Sequence, residues 1–298
     1  VTLDLANTLQ LGSSGLRDGL CRSWAEEDAN WIEADDLTGM LTQIFQNLKV
    51  LRRLSIAISF EDQRQGKLSA PNCLQEVGSL SWSLREVYVA TDHLCLEVAL
   101  LGALAQLGAL QKLWLHLGSM QYNEAVSAAL VARLPSKDLE VLSIWGTTRL
   151  LRDVLHALGP KGKKRMPKLK ELDLSMNREG PGGRITDIRH APGEIPSDHV
   201  WAVLRSGAPG LQAFCLCGAL AWYPAVSDAW FLQLISAVQS GHGRRLRLLD
   251  LRRNKLRADV ADRLQEKMWK VHRKDFQLLW DGSALGDSDA QPARMRVV

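Results

Sequence analysis

No apolar stretch in this chain is long enough to cross a bilayer. The most apolar window, residues 94–107, is interrupted by Glu97 and falls short of the roughly 18 to 20 residues a membrane helix needs. It reads instead as a buried helix. Cysteine is scarce, with five residues (Cys21, Cys73, Cys95, Cys215, Cys217) at irregular spacing. An odd, irregular set argues against a disulfide framework and favours a reducing compartment. An excess of one charge is also lacking, since the formal net charge is only +4, too small by itself to indicate nucleic acid. Residues 1–20 carry Asp4, Arg17 and Asp18 without a basic-then-apolar start, so no secretory signal is read there. A cytoplasmic location is the expectation. The chain opens on Val1 and on a strand-like TLDL with no polar cap ahead of it, which points to further residues upstream.

Motifs for chemistry are missing as well. Neither Gly-x-Ser-x-Gly nor His-Glu-x-x-His occurs. Gly162 and Lys163 do not form a phosphate loop, because Ala157 and Lys164 stand where Gly and Ser or Thr are required. Cys215 and Cys217 form a Cys-x-Cys pair, but the spacing lacks the paired pattern of zinc sites. No cofactor, metal or catalytic residue is expected.

What the chain does contain is a recurring block with apolar residues at relative positions 1, 4 and 6. Seven blocks start at Leu51, Leu84, Leu110, Leu139, Leu169, Leu211 and Leu246. Positions 4 and 6 are Leu54/Ile56, Val87/Val89, Leu113/Leu115, Leu142/Ile144, Leu172/Leu174, Phe214/Leu216 and Leu249/Leu251. Position 9 is less regular, with Asn only at Asn177 and Asn254, and Gly118 or Ala219 unable to bond a turn through a side chain. The starts lie 26 to 42 residues apart, which leaves room for a helix after each strand. Leu151, Val154, Leu155 and Leu158 fall at i, i+3, i+4 and i+7 before Gly159 and Pro160 stop the helix. Phe231, Leu234, Ile235 and Val238 repeat the pattern after an N-cap at Ser227, as do Ala261, Leu264, Met268 and Val271. Leu37, Leu41, Ile44 and Leu48 predict a helix before the first block.

Leu169-Lys-Glu-Leu-Asp-Leu-Ser-Met-Asn177 and Leu246-Arg-Leu-Leu-Asp-Leu-Arg-Arg-Asn254 are the cleanest copies. Over residues 48–280 the chain resembles the leucine-rich repeat superfamily, in its ribonuclease-inhibitor-like strand-plus-helix class. The resemblance implies an α/β fold, a leucine-rich repeat solenoid (horseshoe) with a parallel concave sheet and convex helices. Residues 1–47 are then a degenerate repeat or cap, where Leu3 and Leu5 suggest a strand. Phe276, Leu278 and Trp280 look like a closing strand, and residues 281–298 a disordered tail ending in the basic piece 294–298.

Side chains alternate along a strand, so if positions 4 and 6 face the core, positions 3, 5 and 7 line the open face. Tyr88, Trp114, His116 and Trp145 then gather on adjacent strands, with Asp173 beside them. Trp and Tyr concentrate at binding hot spots, so these five residues are the candidate partner-binding site. Asp173, Asp250 and Arg252 read as a solvated charged half of the same face. The basic run Lys161, Lys163, Lys164, Arg165, Lys168 and Lys170 reads as a solvated loop. Residues 178–197, rich in Gly and Pro, read as a rim loop, and their Asp187 and His190 lack a nucleophile motif.

The expected role is a non-catalytic scaffold that binds a protein partner on its concave face, with neither nucleic acid nor membrane as partner. One alternative is a GTPase-activating or other enzyme-regulating leucine-rich repeat protein, for which Arg53 or Arg252 would have to act in trans. Family members of that kind commonly carry an acidic C-terminal block, which this chain lacks. Another is the sensor or substrate-receptor part of a larger immune or ubiquitin-ligase chain.

Overall fold

Alternation of one apolar and one polar residue makes a half-buried strand, and each block of this chain forms one. The computed structural model describes residues 2–4, 51–58, 83–91, 104, 106–117, 132–135, 137–145, 148–158, 165–174, 200, 202–217, 233, 236, 240–252, 254, 256–272 and 276–280. Among them are the strands β1 (Thr2–Asp4), β2 (Arg53–Ile58), β3 (Glu86–Thr91), β4 (Lys112–Leu117) and β5 (Val141–Trp145). Four shorter ones follow: β6 (Glu171–Asp173), β7 (Ala213–Cys215), β8 (Leu248–Asp250) and β9 (Gln277–Leu279).

All nine join one sheet in sequence order, each parallel to the next. A sheet that grows by one parallel strand per sequence unit, with helices in the connections, is an α/β architecture compatible with a repeat solenoid. The strand expected at Leu3 is present and pairs with β2, so the sheet begins ahead of the seven blocks. The closing strand at Leu278 is present too, paired with β8.

The register aligns position 4 of every block. Leu3, Leu54, Val87, Leu113, Leu142, Leu172, Phe214, Leu249 and Leu278 stand in one row across the sheet. From Leu54 to Leu249 every member of the row is at most 1% exposed. The position 1 leucines and the position 6 residues from Val89 to Leu251 are buried as well; the Ile56 side chain lies outside the described residues. Full burial of each such side chain is worth roughly 1.5–3 kcal/mol, which makes this stack the main stabilising element.

Backbone bonds repeat with the side chains. The carbonyl of position 2 in one block accepts two N–H groups, from positions 2 and 3 of the next: Lys170 O, for example, bonds Gln212 N at 2.7 Å and Ala213 N at 3.0 Å. Ahead of β4, β6, β7 and β8 a tight turn closes from position 1 to the residue three before it, as in Leu169 N to Met166 O (3.1 Å) and Leu246 N to Gly243 O (2.8 Å). The residue at the start of that turn (Leu107, Met166, Ala208) is itself buried and was not recognised in the repeat pattern.

Two helices bury the faces that their periodicity predicts. Helix α1 (Thr148–Leu158) buries Leu151, Val154, Leu155 and Leu158 and stops before Gly159. Helix α2 (Ala258–His272) buries Val260, Ala261, Leu264 and Met268, with Asp262, Arg263, Glu266 and Lys270 exposed. Residues 203–207 form a π-helical turn that no periodicity announced, closed by Ala208 N to Val203 O at 2.8 Å. At the seventh block, Asn254 performs the turn role expected of it: its buried amide donates to Leu216 O, Leu251 O and Arg252 O at 2.8, 3.0 and 3.3 Å. The helices expected around Leu37–Leu48, the other position 9 residues, the 178–197 loop, and the 281–298 tail lie outside the described residues, as do Ser227, Phe231, Leu234, Ile235 and Val238.

Candidate functional site

The open face of the sheet carries position 5 as a row: Ser55, Tyr88, Trp114, Ser143, Asp173, Cys215 and Asp250. Tyr88 on β3 is directly beside Trp114 on β4, and His116 on β4 is directly beside Trp145 on β5. In-register neighbours are about 4.8 Å apart, so the four rings named from the sequence do form one group. The His116 and Trp145 rings meet edge to face, with centroids 5.2 Å apart and planes at 61°.

Asp173 belongs to this group more closely than its place in a charged half suggested. One of its carboxylate oxygens, Oδ2, accepts from Trp145 Nε1 at 3.0 Å and from Ser143 Oγ at 3.1 Å. The indole is thereby fixed in orientation through its only polar atom. Tyr88, Trp114, His116, Trp145 and Asp173 are all half-buried rather than fully exposed. Burial pushes the His116 imidazole down to about 4, so it is neutral at neutral pH and places no charge among the rings.

Position 3 forms a second row. On its N-terminal side Glu86 is held between Arg53 (2.7 Å) and Lys112 (3.0 Å). Partial burial raises the Glu86 carboxyl, but the hydrogen bonds and charges of Lys112 and Arg53 outweigh it and hold the group below the usual carboxylate range.

The solvated character expected of Asp250 and Arg252 is corrected. Asp250 is 1% exposed, and Arg252 folds back over it. Both Asp250 oxygens are engaged: Arg252 donates from Nη2 (2.7 Å), from Nε (3.0 and 3.2 Å) and from its backbone N–H (3.0 Å). A carboxylate two residues ahead of an arginine on one strand face lies within reach of its fork, and a bidentate pair tolerates burial far better than a lone charge. Between Asp173 and Asp250, the Cys215 thiol is pushed well up, by burial first and then by the two carboxylates. It is a poor nucleophile there. Cys217, past the end of β7, is buried, and neither Cys215 nor Cys217 is in a disulfide.

Of the basic run, Arg165, Lys168 and Lys170 are exposed, and Lys161, Lys163 and Lys164 lie outside the described residues. Lys168 pairs with Asp138 at 2.6 Å and Lys170 with Glu140 at 2.7 Å, so these two lysines tie consecutive repeats together. The sequence reading passed over Trp269, which is 49% exposed on α2 and donates its indole N–H to Phe276 O at 3.0 Å. Among the described residues there is no group of three or more His, Cys, Asp or Glu that would hold a metal, and no helix long and apolar enough to cross a membrane.

No family model matches the chain, and no curated protein matches it. Among solved structures it is similar to a chain in the crystal structure of the Rad7 and Elc1 complex in yeast, at 16% identity and a TM-score of 0.39. The alignment covers 84% of this chain and 64% of that one, so the chain spans less than two thirds of the length of that neighbour.

Proposed function

We propose that this chain is a leucine-rich repeat solenoid of horseshoe form, acting as a non-catalytic scaffold that binds a protein partner on the open, concave face of its sheet. Tyr88, Trp114, His116, Trp145 and Asp173 carry the contact. The supporting observation is the group itself: four rings on three neighbouring strands, one of them locked by Asp173, facing away from the leucine core. Rigid aromatic side chains whose orientation is set before binding lose little entropy on association, which is what a hot spot requires.

The catalytic and regulatory alternatives are less well supported. Arg53 is bonded to Glu86, and Arg252 is clamped on Asp250. Either would have to break a charge-assisted pair before reaching a nucleotide in trans. The raised Cys215 thiol is a poor candidate for covalent chemistry.

The test is a pull-down with the immobilised chain against its native cell extract. Trp114→Ala with Trp145→Phe is expected to abolish recovery of whatever partner the unaltered chain retains, through losses of about 2 kcal/mol or more at each hot spot. Circular dichroism and Tm should stay close to those of the parent. Full recovery of the partner by the doubly substituted chain removes this reading.

A further inference from the structure

The edge of the sheet where strands begin carries two pairs of cations at equal positions, one pair matched by the chain's own carboxylates and one not. At β5 and β6 the pattern is complete: Asp138 and Glu140, two residues apart, bind Lys168 and Lys170, which occupy the same two positions one repeat later. At β8 those positions hold Arg245 and Arg247, both exposed. The preceding repeat offers them Gly210 and Gln212, a residue with no side chain and one with no charge. Among the described residues no carboxylate lies within ion-pair distance of Arg245 or Arg247.

The three repeats are held in register here, so the comparison is geometric as well as sequential. Gln212 N bonds Lys170 O, and Arg247 N bonds Gln212 O, each at 2.7 Å. The turns of all three close identically, from Leu169 to Met166, Leu211 to Ala208 and Leu246 to Gly243. Lys168 and Arg245 therefore flank Gly210, and Lys170 and Arg247 flank Gln212, with roughly 10 Å between the flanking backbones. Arg165 adds another exposed cation to the same edge.

We propose that this edge, over β6 to β8, is a second docking surface, for an extended acidic segment of a partner protein. Two carboxylates at alternate residues would supply over Gly210 and Gln212 what Asp138 and Glu140 supply one repeat earlier. The occupant is a carboxylate-bearing peptide because the chain already satisfies these positions with Asp and Glu side chains at 2.6–2.7 Å. The surface lies off the aromatic face and does not depend on it.

Fluorescence anisotropy with a labelled peptide of alternating Glu and Ser tests the assignment. The parent chain is expected to bind it, with affinity falling as salt rises. Gln212→Glu, nearly isosteric, places a carboxylate of the chain's own between Lys170 and Arg247 and is expected to weaken the peptide about tenfold, roughly 1.4 kcal/mol. Arg245→Glu with Arg247→Glu should weaken it further, whereas the charge-matched Lys267→Glu with Lys270→Glu on α2 should not. No binding by the parent chain, or unchanged affinity in either edge variant, overturns the proposal. Tighter binding of a single-stranded oligonucleotide of equal charge overturns the peptide assignment. Retention of the peptide by the Trp114 and Trp145 variant separates this surface from the open face.

Discussion

Burial keeps His116 neutral to far lower pH than in an unfolded chain, where it would take a proton near 6.5 instead of about 4. Between those values the unfolded state binds more protons, so stability rises with pH. The His116 contribution is complete above about pH 6.5 and is lost as pH falls towards 4. It is worth at most about 3 kcal/mol, and less because the ring remains partly solvated. His116→Gln is therefore expected to flatten the fall in urea-unfolding stability between pH 6.5 and 4.5; an unaltered slope would exclude His116 as its source. Glu86 acts in a lower window, because its lowered carboxyl gives up its stabilising charge only as pH drops through that depressed value. At the same scale, Asn254 satisfies three backbone carbonyls at once, which explains why Asn recurs in the cleanest blocks. The Asp250–Arg252 clamp is equally local, yet nothing in a two-residue spacing reveals that it will be covered.

At the level of elements, α1 is set against the π-helical turn of residues 203–207 by an absent side chain. A Cβ on Gly207 would lie 2.1 Å from Leu158 O and 3.0 Å from Leu158 C, and these are backbone atoms that cannot swing aside. Gly207→Ala is expected to cost about 1–3 kcal/mol or more through that overlap, lowering Tm. Gly108, whose added Cβ would meet nothing within 4 Å, provides the control, and Gly108→Ala should leave Tm nearly unchanged. The close approach went unseen in the sequence because it arises between segments about fifty residues apart, and the π-helical turn because five residues are too few to show a period. Helix α1 was visible in advance because a 3.6-residue period in Leu151, Val154, Leu155 and Leu158 is a property of one segment alone.

For the whole molecule, each strand bonds only its sequence neighbours, so stability propagates repeat by repeat. Leu142→Ala, in the middle of the leucine row, is expected to cost about 2–5 kcal/mol and to raise amide exchange on both sides, in β4 and β6. Leu278→Ala acts at the terminal strand, which has β8 on one side. It should speed exchange in β9 and in the part of α2 that Gln265 and Trp269 tie to it, leaving β2 to β6 protected. Equal loss of protection across the sheet in both variants would contradict a nearest-neighbour solenoid.

The sequence by itself determined the parallel stack. Its apolar residues at positions 1, 4 and 6 have no burial available except against the same positions of the next block, so composition at those sites dictates register. It also placed Tyr88, Trp114, His116 and Trp145 side by side, since equal positions in adjacent blocks must be neighbours. Tertiary structure alone decided how those side chains are treated once there. It swung the Trp145 indole onto Asp173 and sank Asp250 beneath Arg252. Periodicity reports which face a residue occupies; the rotamers and partners on that face depend on atoms contributed by several repeats together.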